Sequence, residues 1–347
     1  MNLKKPRTVA ASPNTERSGP ILSTVGLTKR FRGRRSILDV MTGHGHSWMT
    51  AVDGVNLEVH RRETLGIVGE SGCGKSTLAR CLVSLTVPDA GIIRFEGEDV
   101  LALTGVARRA YNQRVQMVFQ DPYGSLNPRM RIGNALAEAL TVHAIIARED
   151  VSGRVNELLD LVHLPAGSAE RYPHELSGGQ RQRVGIARAL AVAPAVLIAD
   201  EPVSALDVSV QAQIINLFLE LQTRLGLSLV FITHDLRLVR HIAHRTAVMY
   251  LGRIVELGPT EDLFRAPRHP YTQSLVKAAP QLLIRRRSER SRQAAVQGEL
   301  PSPFAPPPGC AFHPRCPIAV ERCKIETPAL STGSSGGDAW QAACHLA

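Results

Sequence analysis

No stretch of this 347-residue sequence is apolar for long enough to cross a bilayer. The longest nearly unbroken run, residues 189–199, has 11 residues and contains Pro194, against the roughly 20 that a spanning helix needs. Lys4, Lys5 and Arg7 are followed by no apolar segment, so no secretory leader is expected and the chain is expected to stay in the cytoplasm. Aromatic residues make up only 4 % of the chain, and none lies among Arg285, Arg286, Arg287, Arg290 and Arg292. A base-stacking surface is therefore not expected there, nor a specific nucleic-acid partner. Acidic residues are outnumbered 31 to 41, which leaves a net charge of +10. Residues 1–35 alone hold nine Lys or Arg and one acid, Glu16, a pattern of solvated basic arms. No internal repeat is visible, which excludes tandem copies of one unit. Closely spaced C-x2–4-C pairs are missing too, although six cysteines are present.

What is present alternates between strand-like and helix-like segments. "ILSTVGLTKRF", "VDGVNLEVH", "ETLGIVG", "GIIRFEG", "VQMVFQ", "AVLIAD" and "LSLVFITHD" are apolar enough for strands. Residues 131–192 are mostly helical by periodicity, and residues 36–50 look like a loop insertion. Strands of the buried type, alternating with helices, predict an α/β fold with a parallel sheet covered on both faces. "GESGCGKST", Gly69–Thr77, follows an apolar strand and opens a helix. Its glycines let backbone N–H groups close around phosphate oxygens, and the helix start adds partial positive charge. The contacts therefore span Gly69, Glu70, Ser71, Gly72, Cys73, Gly74, Lys75, Ser76 and Thr77. Lys75 is expected on the β- and γ-phosphates and the Ser76 hydroxyl on Mg²⁺. "AVLIADEP" places Asp200 at a strand end to hold Mg²⁺, and Glu201 beside it to polarise a water.

"LSGGQRQRVGIARAL", Leu176–Leu190, resembles the signature of ABC-type ATPases. Gln120 in "VFQDP" resembles their Q-loop glutamine, Ser204–Asp207 ("SALD") their D-loop, and His234 in "ITHD" their switch histidine. "FQDPYGSLNPRM", "RYPHELSGGQ", "DEPVSALDVSVQAQ", "HPYTQSL" and "GCAFHPRCP" resemble the ATP-binding subunits of bacterial dipeptide/oligopeptide ABC importers. The resemblance implies a P-loop NTPase of ABC type with a mixed or parallel sheet core, a helical subdomain and a small cysteine-rich C-terminal extension. Composition reads residues 1–20 as a disordered basic arm and 283–309 as a Pro/Arg-rich linker, while the resemblance, which covers the chain from about residue 21 onward, implies 21–282 as the ATPase with its helical subdomain near 121–195, and 310–347 as the extension. The resemblance further implies ATP and Mg²⁺ as cofactors, with Ser76, Gln120 and Asp200 around the metal. Glu201 is the implied general base, helped by His234 and Gln120, and Phe31 stacks on adenine. Leu176, Ser177, Gly178, Gly179 and Gln180 would serve the ATP site of a facing second ATPase chain, probed also by Ser204, Ala205, Leu206 and Asp207. Implied partners are that second, related but non-identical ATPase, two permease subunits and an extracytoplasmic substrate-binding protein, at the cytoplasmic face of the inner membrane. Nickel, glutathione or other small cargo is the alternative within the branch, and a soluble non-transport ABC ATPase the alternative outside it.

Four of the six cysteines, Cys310, Cys316, Cys323 and Cys344, fall in the last 38 residues. A reducing cytoplasm disfavours disulfides. Zinc, with His313 or His345 in a mixed site, and ordinary free thiols remain open readings, and four thiolates also suit a [4Fe–4S] cluster. The family resemblance implies the cluster. Cys73 and Cys81 read as small packing residues, with Cys73 reactive if the helix start lowers its pKa.

Overall fold

The structure, a computed structural model, describes residues 19–33, 48–121, 124, 126–142, 146–278, 301–332 and 340–347. The expected arm, apart from its last two residues, lies outside this set. So do residues 36–47 of the expected insertion and residues 283–300 of the expected linker.

Strand β1 (Leu22–Arg32) and strand β2 (Trp48–Val59) pair antiparallel, and the second half of β2 alternates between buried and exposed residues. Strand β3 (Thr64–Val68) differs, with all five residues buried, and leads through the glycine loop into helix α1 (Lys75–Leu82). Strands β4 (Ala90–Phe95) and β5 (Glu98–Asp99) join the first pair in a four-stranded antiparallel sheet ordered β2-β1-β4-β5. Helix α2 (Gly105–Arg114) then runs into strand β6 (Val115–Val118). Three helices follow, α3 (Ile132–Val142), α4 (Val151–Leu161) and α5 (Gly178–Leu190). Next come strand β7 (Val196–Asp200), helix α6 (Val208–Leu225), strand β8 (Ser228–Thr233), helix α7 (Leu236–Ile242) and strand β9 (Arg245–Tyr250). Strand β10 (Arg253–Pro259) and helices α8 (Thr260–Arg265) and α9 (Pro270–Ala278) complete this part of the chain. The tail adds helix α10 (Glu321–Ile325) and two short strands, β11 (Ser331–Thr332) and β12 (Gln341–Ala342).

The larger sheet has eight strands in the order β11-β12-β10-β9-β3-β8-β7-β6. Its β9-β3-β8-β7-β6 portion is parallel, as the buried apolar strands predict. Period-two alternation divides the core between the two faces of this sheet. Leu197, Ala199, Leu229 and Phe231 pack toward α5, α6 and α7. Val196, Ile198, Val230 and Ile232 pack toward α1 and the antiparallel sheet. The separate antiparallel sheet and the antiparallel edge β10-β12-β11 are additions to the sheet expected from sequence.

The cysteine-rich tail also departs from expectation, because it is not a free-standing appendage. Strand β12 pairs with β10, placing Ala342 opposite Glu256. Phe312 is 1 % exposed and belongs to the main core, edge-on to Tyr250 at 5.4 Å. Glu256, fully buried, accepts hydrogen bonds from Trp340 Nε1 and from the backbone N–H groups of Arg268 and His269. A buried carboxylate requires such partners. Core packing and strand pairing therefore anchor the tail.

Candidate nucleotide-binding site

Four adjacent parallel strands end on the same edge of the large sheet. Beyond β3 lies the glycine loop, beyond β8 His234, at the end of β7 Asp200 and Glu201, and beyond β6 Gln120. Ligands of open α/β sheets bind beyond the carboxyl ends of the strands. A cleft of about 480 Å³ lies there, lined by Ser71–Thr77, Gln120, Glu201 and, from other elements, Met49, Ala51 and Pro303.

Glycine is required at two points of the loop. Gly74 has φ of 107°, and a Cβ there would stand 1.9 Å from the Ala51 carbonyl oxygen. A Cβ on Gly69 would stand 2.2 Å from the Met249 carbonyl oxygen. Any side chain at either position would force the loop off the sheet. Lys75 is 4 % exposed, and its ammonium donates to the carbonyl oxygens of Gly69 at 2.8 Å and Glu70 at 2.9 Å. Its charge is thus held inside the curl of the loop. Ser76 Oγ donates to Asp200 Oδ1 at 3.0 Å. Burial pushes the Asp200 carboxyl above its ordinary pKa, partly offset by the Ser76 hydrogen bond. A hydroxyl beside a buried carboxylate is a hard oxygen pair of the kind Mg²⁺ takes.

Gln120 Nε2 donates to Glu201 Oε2 at 3.3 Å, and His234 Nδ1 lies 3.3 Å from the same oxygen. The three residues come from three strand ends. The Glu201 backbone has φ of 45°, a left-handed conformation that costs a non-glycine residue energy and turns its side chain away from that of Asp200. Two neighbouring acids in sequence are thereby given different surroundings, one facing Ser76 and the other facing Gln120 and His234.

The signature segment lies apart. Ser177 accepts a hydrogen bond from Gln180 N, and Gln180 Oε1 accepts one from Ser177 N, a capping box that starts α5. Leu176 is buried, and the Arg181 guanidinium donates to its carbonyl oxygen. A Cβ on Gly178 would lie 3.2 Å from Leu206, and one on Gly179 2.5 Å from Val210, so the segment packs against the turn of Ser204, Ala205, Leu206 and Asp207. None of Leu176–Gln180 lines the cleft of its own chain.

Other expected residues fall elsewhere. Phe31 is 36 % exposed on β1 and does not line the cleft, which Met49, its cross-strand neighbour on β2, does. Cys73 is no reactive thiol: it is 1 % exposed, and burial raises its pKa against the lowering effect of Lys75. Cys310, Cys316, Cys323 and Cys344 line one pocket together. Burial raises the pKa of Cys310, Cys316 and Cys344. Among the described residues, however, no three His, Cys, Asp or Glu side chains are grouped to hold a metal ion. The expectation of a [4Fe–4S] cluster, or of zinc, gains no support from this geometry, because the thiols share a pocket without being drawn to one centre. Sequence reading missed Met49, Ala51 and Pro303, which no motif marks. It also missed Arg315, whose guanidinium pairs with Glu70 of the glycine loop. The segment "HPRCP" had drawn notice for its cysteines and not for its arginine.

This arrangement defines a P-loop nucleotide site of the ATP-binding-cassette kind. The family model described as "ABC transporter" matches residues 52–204, and the one described as "Oligopeptide/dipeptide transporter, C-terminal region" matches residues 255–323. The chain is 45 % identical over 327 residues to the di/tripeptide transport ATP-binding protein DppF of Pseudomonas aeruginosa, covering 94 % of this chain and 98 % of that protein. It is 45 % identical over 317 residues to the dipeptide transport ATP-binding protein DppF of Haemophilus influenzae, covering 91 % and 94 %. Among solved structures it is similar to the ATP-binding cassette MJ0796, in a dimeric post-hydrolysis state bound to ADP and Pi, with 26 % identity, a TM-score of 0.60 and coverage of 69 % of this chain and 98 % of that one. It is likewise similar to cbiO1 of Clostridium perfringens, part of the transporter complex cbiONQ, with 27 % identity, a TM-score of 0.60 and coverage of 72 % and 92 %. The chain belongs to the ABC transporter family, as an ATP-binding, ATP-hydrolysing subunit.

Proposed function

We propose that the chain is the energy-coupling ATPase of an importer of dipeptides or oligopeptides, seated on the cytoplasmic face of the bacterial inner membrane. The observation that carries this reading is the joint presence of the cassette at residues 52–204 and the oligopeptide/dipeptide C-terminal region at residues 255–323. Relatives named for di/tripeptide and dipeptide transport align along nearly the whole chain. Among the described residues no helix is long and apolar enough to cross a membrane, so passage of cargo falls to two permease subunits. A substrate-binding protein outside would deliver it, and a second, related ATPase chain would face this one. Residues 21–282 form the proposed ATPase, with 121–195 as its permease-facing helical part.

In this reading Glu201 is the general base that takes a proton from the attacking water. Its hydrogen bond from Gln120 and its contact with His234 support that role, since both orient one carboxylate oxygen. Mg²⁺ bound by Ser76, Asp200 and Gln120 would neutralise phosphate charge. Lys75 and the loop amides bind the β- and γ-phosphates. Ser177, Gly178 and Gly179 complete the facing chain's site, which accounts for a capped helix start that does not line its own cleft. The four tail cysteines would hold one [4Fe–4S] cluster, or zinc in its place, a reading that rests on the chemistry of four thiols in a short tail and not on their arrangement, since among the described residues no three of them are grouped around one centre. The cluster's chemistry would be electron storage or structural stapling, apart from hydrolysis. Anaerobically purified protein that is brown, with broad absorption near ~400 nm, supports the cluster; colourless protein with stoichiometric zinc refutes it.

The test of the whole reading is co-expression with its candidate permeases, extraction in detergent and reconstitution. ATP hydrolysis stimulated by a peptide-loaded binding protein supports peptide import. Stimulation by nickel- or glutathione-loaded binding protein alone refutes it, and so does failure to co-purify with any membrane subunit.

A further inference from the structure

Glu70 is the one acid within the loop Gly69–Thr77. A carboxylate at that place repels the polyphosphate the loop receives. Its charge is met from the far end of the chain. Arg315 donates from Nη1 to Glu70 Oε2 and from Nη2 to Oε1, both at 2.9 Å, a bidentate pair. The Arg315 side chain is 6 % exposed and that of Glu70 26 %. Arg315 Nη1 also reaches Tyr250 Oη at 3.4 Å, and the guanidinium lies against the rings of Tyr250 and Phe312, at 5.8 and 5.9 Å. The backbone of Glu70 is held from the same direction, because its N–H donates to Tyr271 Oη at 2.9 Å. Tyr250, Tyr271 and Phe312 are each nearly or fully buried and in mutual ring contact. Arg315 of the tail thus holds the side chain of the first residue after Gly69, while Tyr271 of α9 holds its main chain.

We infer that Arg315 is a positioning residue for nucleotide binding, one that fixes the phosphate loop through Glu70 and cancels the charge Glu70 would otherwise present to the polyphosphate. The inference rests on reading Gly69–Thr77 as the nucleotide site. Without Arg315 the Glu70 carboxylate stands unneutralised in the loop. The Lys75 ammonium, which sits on the Glu70 carbonyl oxygen at 2.9 Å, is then the cation at hand to answer it. A lysine so engaged is lost to the phosphates. The penalty grows with ligand charge, so ATP suffers more than ADP. It also belongs to binding and not to the chemical step, because Arg315 is absent from the Gln120–Glu201–His234 group.

Calorimetric titration of the full chain with MgATP and MgADP tests this. Arg315→Gln is expected to weaken MgATP on the order of tenfold, the effect of one unit charge near the surface, and MgADP by less. Arg315→Lys, which keeps the charge, is expected to retain most of the affinity. Adding Glu70→Gln to Arg315→Gln removes the stranded charge and is expected to bring MgATP affinity back to within about threefold of wild type. In the assembled transporter Arg315→Gln is expected to raise KM for ATP while kcat at saturation holds. If Arg315→Gln does not fold, the neutral pair Glu70→Gln with Arg315→Met decides, since an uncharged pair there is expected to bind MgATP nearly as wild type. Unchanged MgATP affinity in folded Arg315→Gln overturns the inference. So does weakened affinity that Glu70→Gln fails to restore, the behaviour of a mere anchor. Wild-type protein that binds no MgATP, or a Lys75→Ala variant that binds it undiminished, removes the reading of the loop itself.

Discussion

Glu201 and Asp200 are neighbours in sequence with opposite surroundings, and substitutions at each separate their work. Glu201→Gln keeps the shape of the side chain and both its contacts, and removes the basic oxygen. Loss of a general base costs about 10²–10⁴-fold in rate, while the repulsion between carboxylate and γ-phosphate also disappears. The expected outcome is a variant that holds ATP without turning it over, measured as retained nucleotide after gel filtration of the assembled complex together with phosphate release. Hydrolysis at the wild-type rate would exclude Glu201 as the base. Lys75→Ala acts earlier. It removes the ammonium held inside the loop, and MgATP binding by calorimetry is expected to fall below detection. Far-ultraviolet circular dichroism is expected to stay unchanged, because the lysine bonds within the loop, to the carbonyl oxygens of Gly69 and Glu70 and to the Cys73 thiol. Much of this geometry was readable as sequence, since the glycines, lysine and serine stand in one short motif after an apolar strand and the paired acids end another apolar strand. Phe31 lies off the cleft that its cross-strand neighbour Met49 lines, since spacing does not encode how β1 and β2 turn over the cleft. Arg315 was overlooked because 245 residues separate it from Glu70, and nothing local at either residue announces the other.

The approach to helix α9 carries a titratable group in the seam between body and tail. His269 is 1 % exposed, its Nδ1 accepts from Tyr271 N, and its ring lies 5.7 Å from that of Phe312. Burial pushes its pKa from 6.5 down to about 4. Between those two values the unfolded chain carries a proton that the folded chain refuses, so stability falls as the pH drops through this window. At about pH 5 the loss from this one residue is about 2 kcal/mol. Melting curves from about pH 7 to about pH 5 are expected to show a declining midpoint for wild type. His269→Asn is expected to melt lower at neutral pH but with a flatter decline; an equally steep decline would clear His269 of the effect. At this scale the parallel strands β3, β7 and β8 were legible, because five or six consecutive buried residues, most of them apolar, have few alternative uses. Strands β9, β10 and β12 were not. Their pairing is settled by long-range contacts such as Glu256 opposite Ala342, while the sequence around them reads as turns and prolines.

For the whole molecule, the proposed function turns on the distance of the signature segment from the cleft. The phosphate loop and the group around Glu201 share one cleft, while the capped start of α5 does not line it. In the proposed reading a single chain would present half of two sites; the similar cassette MJ0796 was solved in a dimeric form. Purified alone and dilute, the chain is expected to bind ATP yet hydrolyse it slowly. The rate per chain should rise with protein concentration, or on addition of its membrane partners. Full activity in a preparation shown to be monomeric by light scattering would contradict a site completed by a second chain. The docking of the tail onto the body could not be anticipated from motif order. Its four cysteines suggested a module with its own staple, whereas Phe312, Trp340 and β12 bind it into the body.

The grip of Arg315 and Tyr271 on Glu70 also has a meaning in time. Proteins are made from the N-terminus, so the phosphate loop leaves the ribosome long before the residue that neutralises it. With 245 residues between Glu70 and Arg315, and elongation at roughly 5–20 residues per second, the wait is about 12–50 s. During that interval β3 can pair and α1 can form, but the loop carries an unanswered carboxylate. On the inference above, a nascent or prematurely ended chain that lacks Arg315 is expected to bind MgATP about tenfold more weakly than the finished one.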